Sequence, residues 1–264
     1  MKQSLLILSC LVCLCLLLGC SDTRDQQRQG RDKNATPHFS VSDANHAVWP
    51  SAAGEPIEAF DERLTRKNFL AVLDMSGSMR ENDCSGNYPT KADAAREALI
   101  AWLESVPRQA NAGLVVFSTG RVRLRVPLGV DNRRKFKKAV MATAPSGGTP
   151  LRSALALAHQ ELENRARYQN GYGDYRMVVI TDGQHSEGEN PRSVVDEILN
   201  NPANPVQIYT IGFCISDSAL NQPDRIIYQS ANNPEELRKG LDRVLAESTD
   251  FNTELIKEFQ NDEQ

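Results

Sequence analysis

Between Asn68 and Met79 the chain reads Asn-Phe-Leu-Ala-Val-Leu-Asp-Met-Ser-Gly-Ser-Met. The run from Phe69 to Leu73 is apolar without a break and too short for a helix, which predicts a strand buried on both faces. Such a strand needs covering layers above and below it, so it must lie in a sheet covered on two sides. The run stops at Asp74 in a polar turn with oxygen-bearing side chains at alternate positions, Asp74, Ser76 and Ser78. A carboxylate and two hydroxyls spaced this way can aim their oxygens at one point beyond the strand's carboxyl end. That donor set suits hard cations such as magnesium, calcium or manganese. Asp, Ser and Gly are also ordinary turn formers, so these residues alone leave a plain turn open.

The rest of the chain extends the pattern. Thr90 is placed to cap a helix with Asp93 three residues on, an apolar stripe of Ala94, Ala98, Trp102 and Leu103, and a stop before Pro107. Ala112 to Phe117 reads as a second buried strand. Arg121 to Leu128 alternates Arg121, Arg123 and Arg125 with Val122, Leu124 and Val126, the period of a strand with one wet face at a sheet edge. The Gly120 turn joins these two as a hairpin. Helices follow over Asn132–Ala144 and from the Pro145-Ser146-Gly147-Gly148-Thr149-Pro150 loop to about Arg167, Arg176 to Thr181 is another buried strand, and Pro191 to Leu199 is a helix. Val206–Phe213 and, more weakly, Arg225–Tyr228 read as strands, and Asn233 to about Glu247 as a closing helix. Strands alternating with helices predict a doubly wound α/β fold: a mostly parallel six-stranded sheet with one antiparallel edge strand and helices on both faces.

Ligands of such sheets bind outside the carboxyl ends of the central strands. Asp74 ends one strongly apolar strand, Asp182 follows the other, and Thr149 lies in a Gly-rich loop just before a helix. Together, Asp-Met-Ser-Gly-Ser at Asp74, Thr149 within Gly-Gly-Thr-Pro and Asp182 within Thr-Asp-Gly resemble the metal-ion-dependent adhesion site of von Willebrand factor type A domains. The resemblance covers about residues 66–250. It implies that Ser76, Ser78 and Thr149 supply hydroxyl ligands and that Asp74 and Asp182 act directly or through water on Mg2+, or on Mn2+ or Ca2+. It also implies a protein partner that presents an Asp or Glu to the metal. In some members of the family, acids after the motif bind a second ion. The corresponding Glu81-Asn82-Asp83 matches that pattern imperfectly.

The amino-terminal residues read as an export signal over 1–19: Lys2, then a 14-residue apolar run from Leu5 to Leu18, too short to span a bilayer. Its end, Leu17-Leu18-Gly19-Cys20, resembles a bacterial lipoprotein signal. That resemblance implies cleavage before Cys20, lipidation of Cys20, and a protein anchored by lipid to a membrane of the bacterial cell envelope. With Ser21 rather than Asp next, the outer membrane is expected. Residues 20–65 are polar and read as a tether or arm, residues 66–250 as the domain, and 251–264 as a polar tail. After processing, Cys84 and Cys214 remain, an even pair in an oxidising compartment. They read as a disulfide on the same rim as the metal, with two free thiols as the alternative. The net charge of −4 excludes nucleic acid as a default partner. The single basic cluster, Arg133 to Lys138, reads as a solvated helix face.

These features point to a membrane-anchored binding module rather than an enzyme. His185, three residues after Asp182, is the best candidate base for metal-assisted hydrolysis, and no nucleophile-elbow or phosphate-loop motif occurs. A structural subunit of an envelope assembly, its loops braced by the metal, is the other alternative.

Overall fold

The molecule is organised about strand β1, Lys67–Asp74, which lies at the centre of a six-stranded sheet. The computed structural model describes residues 48–51, 56–215, 219–222 and 225–247. The signal 1–19, Cys20, much of the arm and the tail 251–264 lie outside the described residues.

β1 pairs in parallel with β2, Asn111–Ser118, on one side and β4, Asp174–Thr181, on the other. Beyond β2 lies β3, Arg121–Gly129, the antiparallel edge strand; beyond β4 lie β5, Gln207–Phe213, and β6, Ile227–Ala231. The order β3-β2-β1-β4-β5-β6 is the doubly wound arrangement with one antiparallel edge. The continuous apolar run of β1 is explained by its neighbours. Phe69, Ala71 and Leu73 face one layer, with α1 (Lys91–Ser105), α2 (Arg133–Ala142) and α5 (Pro234–Ala246). Leu70 and Val72 face the other, with α3 (Leu151–Tyr168) and α4 (Arg192–Asn200). Trp102 of α1 packs edge-on against Phe69, ring centres 5.9 Å apart.

Local chemistry sets the helix starts. The Thr90 side chain accepts the Asp93 N–H and its hydroxyl donates to the Asp93 carboxylate at 2.7 Å. Asn233 accepts the Glu236 N–H at 2.9 Å, while Glu236 reaches back to the Asn232 N–H at 2.7 Å, a reciprocal cap. β6 lies two residues later than the apolar Arg225–Tyr228 stretch suggests, because it is an edge strand that joins through its backbone and need not be apolar on both faces. Ser78–Arg80 form a short 3-10 turn that the sequence does not foreshadow.

Two polar groups brace the core. Arg176, 4% exposed, donates to the carbonyls of Val244 at 2.7 Å and Glu247 at 3.0 Å. It thereby satisfies the carboxyl end of α5, where a cation is favoured. At the amino ends of the strands Asn68 donates to the Arg66 carbonyl, the Gln169 side chain and the Asp174 carbonyl at 2.8–3.0 Å, and accepts from Asn111 at 2.8 Å. Removing it strands buried partners, each costing about 1–3 kcal/mol. Asn68→Ala is therefore expected to lower stability by about 3 kcal/mol in urea unfolding. Asp74 lies six residues along β1, about 20 Å away, so divalent-ion affinity measured by calorimetry should not change.

Candidate metal centre

The register of the sheet assembles the site. Leu73 lies opposite Ile180, which puts Asp74 beside Thr181 at the ends of adjacent parallel strands. Thr181 Oγ1 donates to Asp74 Oδ2 at 2.6 Å, and the backbone N–H of Ser76 donates to Asp74 Oδ1 at 2.7 Å. The Asp74 carboxylate is thus fixed with no exposure to solvent. Ser76 Oγ and Ser78 Oγ are 3.0 Å apart, and Ser78 Oγ donates to Asp182 Oδ1 at 2.8 Å. Four of the five residues expected as ligands therefore form one connected cluster.

Thr149 joins them through the loops. A Cβ built on Gly183 would lie 3.6 Å from Thr149 Oγ1 and 3.8 Å from Ser78 Oγ, so both hydroxyls face the space left by that glycine. The Thr149 backbone is held by Ser186, whose hydroxyl accepts the Thr149 N–H at 2.8 Å and whose own N–H donates to the Thr149 carbonyl at 3.0 Å. Three loops are stitched together by backbone bonds: Met75 N–H to Phe117, Ser146 N–H to Met75, Gly77 N–H to Gly147 and Thr119 N–H to Ser146. Gly147 is required there. Its φ is +80°, and a Cβ would come within 2.5 Å of the Gly120 nitrogen.

Charge at the site is not balanced by protein alone. Asp74 and Asp182 are both buried, and the Asp74 pKa is pushed up to about 6, first by burial and then by the negative charge of Asp182, against the hydrogen bonds from Ser76 and Thr181. Five oxygen donors, two of them crowded carboxylates, with no sulfur or imidazole among them, fit a hard divalent cation.

Lys91, which the sequence reading passes over, faces Asp182 from the start of α1. Its Nζ lies 2.8 Å from Asp182 Oδ2, 3.0 Å from Glu81 Oε2 and 3.1 Å from Asp83 Oδ1, and the residue is 2% exposed. Burial works against its charge, but the bonds to Asp182 and Glu81 outweigh burial and hold the ammonium above the ordinary lysine value. The acids expected only imperfectly to bind a second ion are thus already paired with a side-chain cation, which they share with Asp182. A signal for Lys91 did exist: a lysine in the first turn of a helix opposes the helix dipole, so something nearby must compensate it.

The sulfurs of Cys84 and Cys214 are bonded, with their Cα atoms 5.8 Å apart, linking the loop of Glu81 and Asp83 to the end of β5. Bonded to each other, they offer no thiolate to a metal beside Asp83. His185 lies on the rim with its Nδ1 2.9 Å from the Ser186 carbonyl, a local contact. His159 is packed beneath Trp49, ring centres 5.5 Å apart.

Removing one partner of a buried ion pair costs about 3–5 kcal/mol. Lys91→Met is expected to lose that much stability in chelator, followed by urea unfolding through tryptophan fluorescence. The double variant Lys91→Met/Asp182→Asn should recover a large part. Equal losses in both variants would show that the pair carries no special weight.

Residues 69–184 match the family model described as von Willebrand factor type A domain. The human inter-alpha-trypsin inhibitor heavy chain H4 is 30% identical over 153 residues, 56% of this chain but 16% of the relative, so the chain spans a small part of the curated relatives it matches. Among solved structures, the pilus adhesin SpaC from Lactobacillus rhamnosus GG is similar with a TM-score of 0.53 and 16% identity, over 72% of this chain and 31% of the adhesin. Proximal thread matrix protein 1 of the mussel byssus, solved with a zinc-occupied metal-ion-dependent adhesion site, is similar with a TM-score of 0.51 and 17% identity, over 70% and 48% of the two chains. The strand order, the loops that carry the oxygen donors and the match over residues 69–184 lead to one conclusion: this chain carries a von Willebrand factor type A domain.

Proposed function

We propose that the protein is a divalent-metal-dependent protein-binding module, tethered by lipid on Cys20 to a membrane of the bacterial envelope. The observation that carries this reading is the oxygen cluster of Ser76, Ser78 and Asp182, linked at 3.0 and 2.8 Å, beside the buried Asp74 and facing the gap at Gly183. Asp74, Ser76, Ser78, Thr149 and Asp182 would hold Mg2+, or Mn2+ or Ca2+, which when bound supplies an electrophilic position for a partner's Asp or Glu. The chain's own residues do the rest. Thr181 and the Ser76 N–H fix Asp74, Lys91 fixes Asp182, and Ser186 fixes Thr149. Such preorganisation reduces the ordering cost of binding. A family in which adhesion modules are typical, a similar structure named as a pilus adhesin and another with its metal site filled support the reading.

The described part of the arm packs on the domain. Trp49 packs on His159 and Tyr175, and the Ser51 N–H donates to Glu163 at 2.9 Å. Tyr175 lies near the amino end of β4 and Asp182 just past its carboxyl end, so residues 49–51 dock at the end of the sheet away from the metal rim.

Magnesium at about a hundred times its dissociation constant should stabilise the native protein by about 2.7 kcal/mol, seen as a rise in melting temperature. Asp74→Ala should abolish that rise while leaving a folded circular-dichroism spectrum. From envelope extract, the native chain should capture a protein that chelator and Asp74→Ala both release. Capture that survives both would favour the structural-subunit reading.

A further inference from the structure

β3 alternates arginine with apolar residues, and the structure gives both faces distinct surroundings. Val122 and Leu124 pack toward the α3 layer, whereas Arg121, Arg123 and Arg125 are exposed on the side of α2. There Arg123 and Arg125 line a groove of about 450 Å³ with Lys135, Lys138, Ala139 and Ala142. A second groove of about 410 Å³ shares Arg123, Arg125 and Ala142 and continues past Arg121 to Ser118 and Thr119.

The charge here is unusual for its neighbourhood. Nearby basic groups are occupied: Arg133 donates to the carbonyls of Val106 and Pro107 at 2.9 and 2.8 Å, and Lys137 pairs with Glu104. Among the described residues, Arg121, Arg123, Arg125, Lys135 and Lys138 have no ion-pair partner, and no acid lines either groove. Five cations with no ion-pair partner among the described residues therefore line two adjoining grooves that share Arg123 and Arg125, on a chain whose net charge is −4. Their mutual repulsion is screened by water at these exposed positions, and an acidic occupant would relieve it further. The helix-face reading of the basic cluster accounts for Arg134 and Lys137 but not for the arginines of the facing strand.

We propose that this groove is a docking surface for an extended acidic segment of a partner protein, with Asp or Glu at every second position. Arg121 and Arg123 stand in regular register opposite Ser118 and Val116, about 6.8 Å apart on one side, the repeat of same-side residues in an extended peptide, and Arg125 follows at a bulge in β3 and still lines the same grooves. β3 has a strand neighbour on one side only, and a peptide backbone can pair with its free edge while opposite charges meet across the strands. A lipid headgroup offers neither the repeat nor the backbone. The upper groove ends at Ser118 and Thr119, whose loop is bonded to the Ser146–Gly147 segment preceding Thr149. A segment running up the groove would thus arrive at the rim where a partner carboxylate is awaited. The repeat and the free edge stand without the metal-binding reading; only this last point rests on it.

The test uses the full purified chain and a fluorescein-labelled peptide of about ten residues alternating Glu and Thr, followed by fluorescence polarisation in chelator at about 50 mM salt. Controls are an alternating Gln-Thr peptide and one of the same composition with its glutamates contiguous. Binding of the alternating Glu peptide is expected, weakened about tenfold or more by Arg123→Glu/Arg125→Glu and by raising salt to about 300 mM, and retained by Asp74→Ala. The Gln peptide should not bind and the contiguous one should bind more weakly. No binding, equal binding to the charge-reversed variant, or equal affinity for the contiguous peptide would overturn the proposal. Arg-dependent sedimentation with phosphatidylglycerol vesicles, without peptide binding, would make the groove a membrane contact instead. Peptide binding lost in chelator and in Asp74→Ala but kept by the arginine variant would sink the groove and leave the metal reading standing.

Discussion

Two carboxylates brought side by side out of water are the constraint on which this structure turns. Asp74 and Asp182 follow adjacent parallel strands whose register leaves them no freedom to separate. Like charges so placed are unfavourable unless they are hydrogen-bonded and offset. The chain meets this with neutral hydroxyls from Ser78 and Thr181 and a single ammonium, Lys91, on the far oxygen of Asp182. What is left uncompensated is negative charge directed at the gap before Gly183, the condition under which a divalent cation is favoured.

That arrangement depends on loops as much as on strands. Donors at three separate positions in sequence can meet only if their loops have fixed relative heights. The backbone bonds from Gly77 to Gly147, Ser146 to Met75 and Thr119 to Ser146 fix them, and the positive φ of Gly147 lets the strands' ends approach closely enough for those bonds to form. On the other side of Lys91, the Cys84–Cys214 bond ties the acids that share its ammonium to the end of β5. A closed loop of that length is worth about 4–5 kcal/mol in the chain-entropy view, and here it bears on the segment that positions Asp182.

The fold was largely legible from residue pattern because burial on two faces forces uninterrupted apolar strands, and Phe69–Leu73 and Met177–Ile180 have no other comfortable conformation. The oxygen donors were legible as well, since each sits where a strand or loop must end, although their convergence took the family resemblance to suggest. Lys91 was not. Its partners lie ten residues away at Glu81 and ninety-one away at Asp182, and nothing local distinguishes it from a solvent-exposed lysine except its awkward place at a helix start. Arg176 hid for a similar reason: it opens an apolar strand, yet it serves the end of α5, seventy residues later. Long-range polar contacts leave no periodicity in a sequence, whereas apolar layers do.

The sheet also divides its work by direction. At the amino ends of the strands Asn68, Gln169 and Asn111 form a closed polar network, and Trp49 packs against Tyr175 nearby. The three amides satisfy one another, so that end gains rigidity. At the carboxyl ends the polar groups are held in place but not mutually satisfied: two acids exceed the one lysine between them, and the edge arginines of β3 face no acid. Negative charge is concentrated at the rim and positive charge along the neighbouring edge. A ligand that is acidic throughout would be drawn to the edge by its charge but could approach the rim only through a cation. Metal and arginine row would therefore impose two separate conditions on the same partner, which is how two weak electrostatic contacts can produce one selective surface.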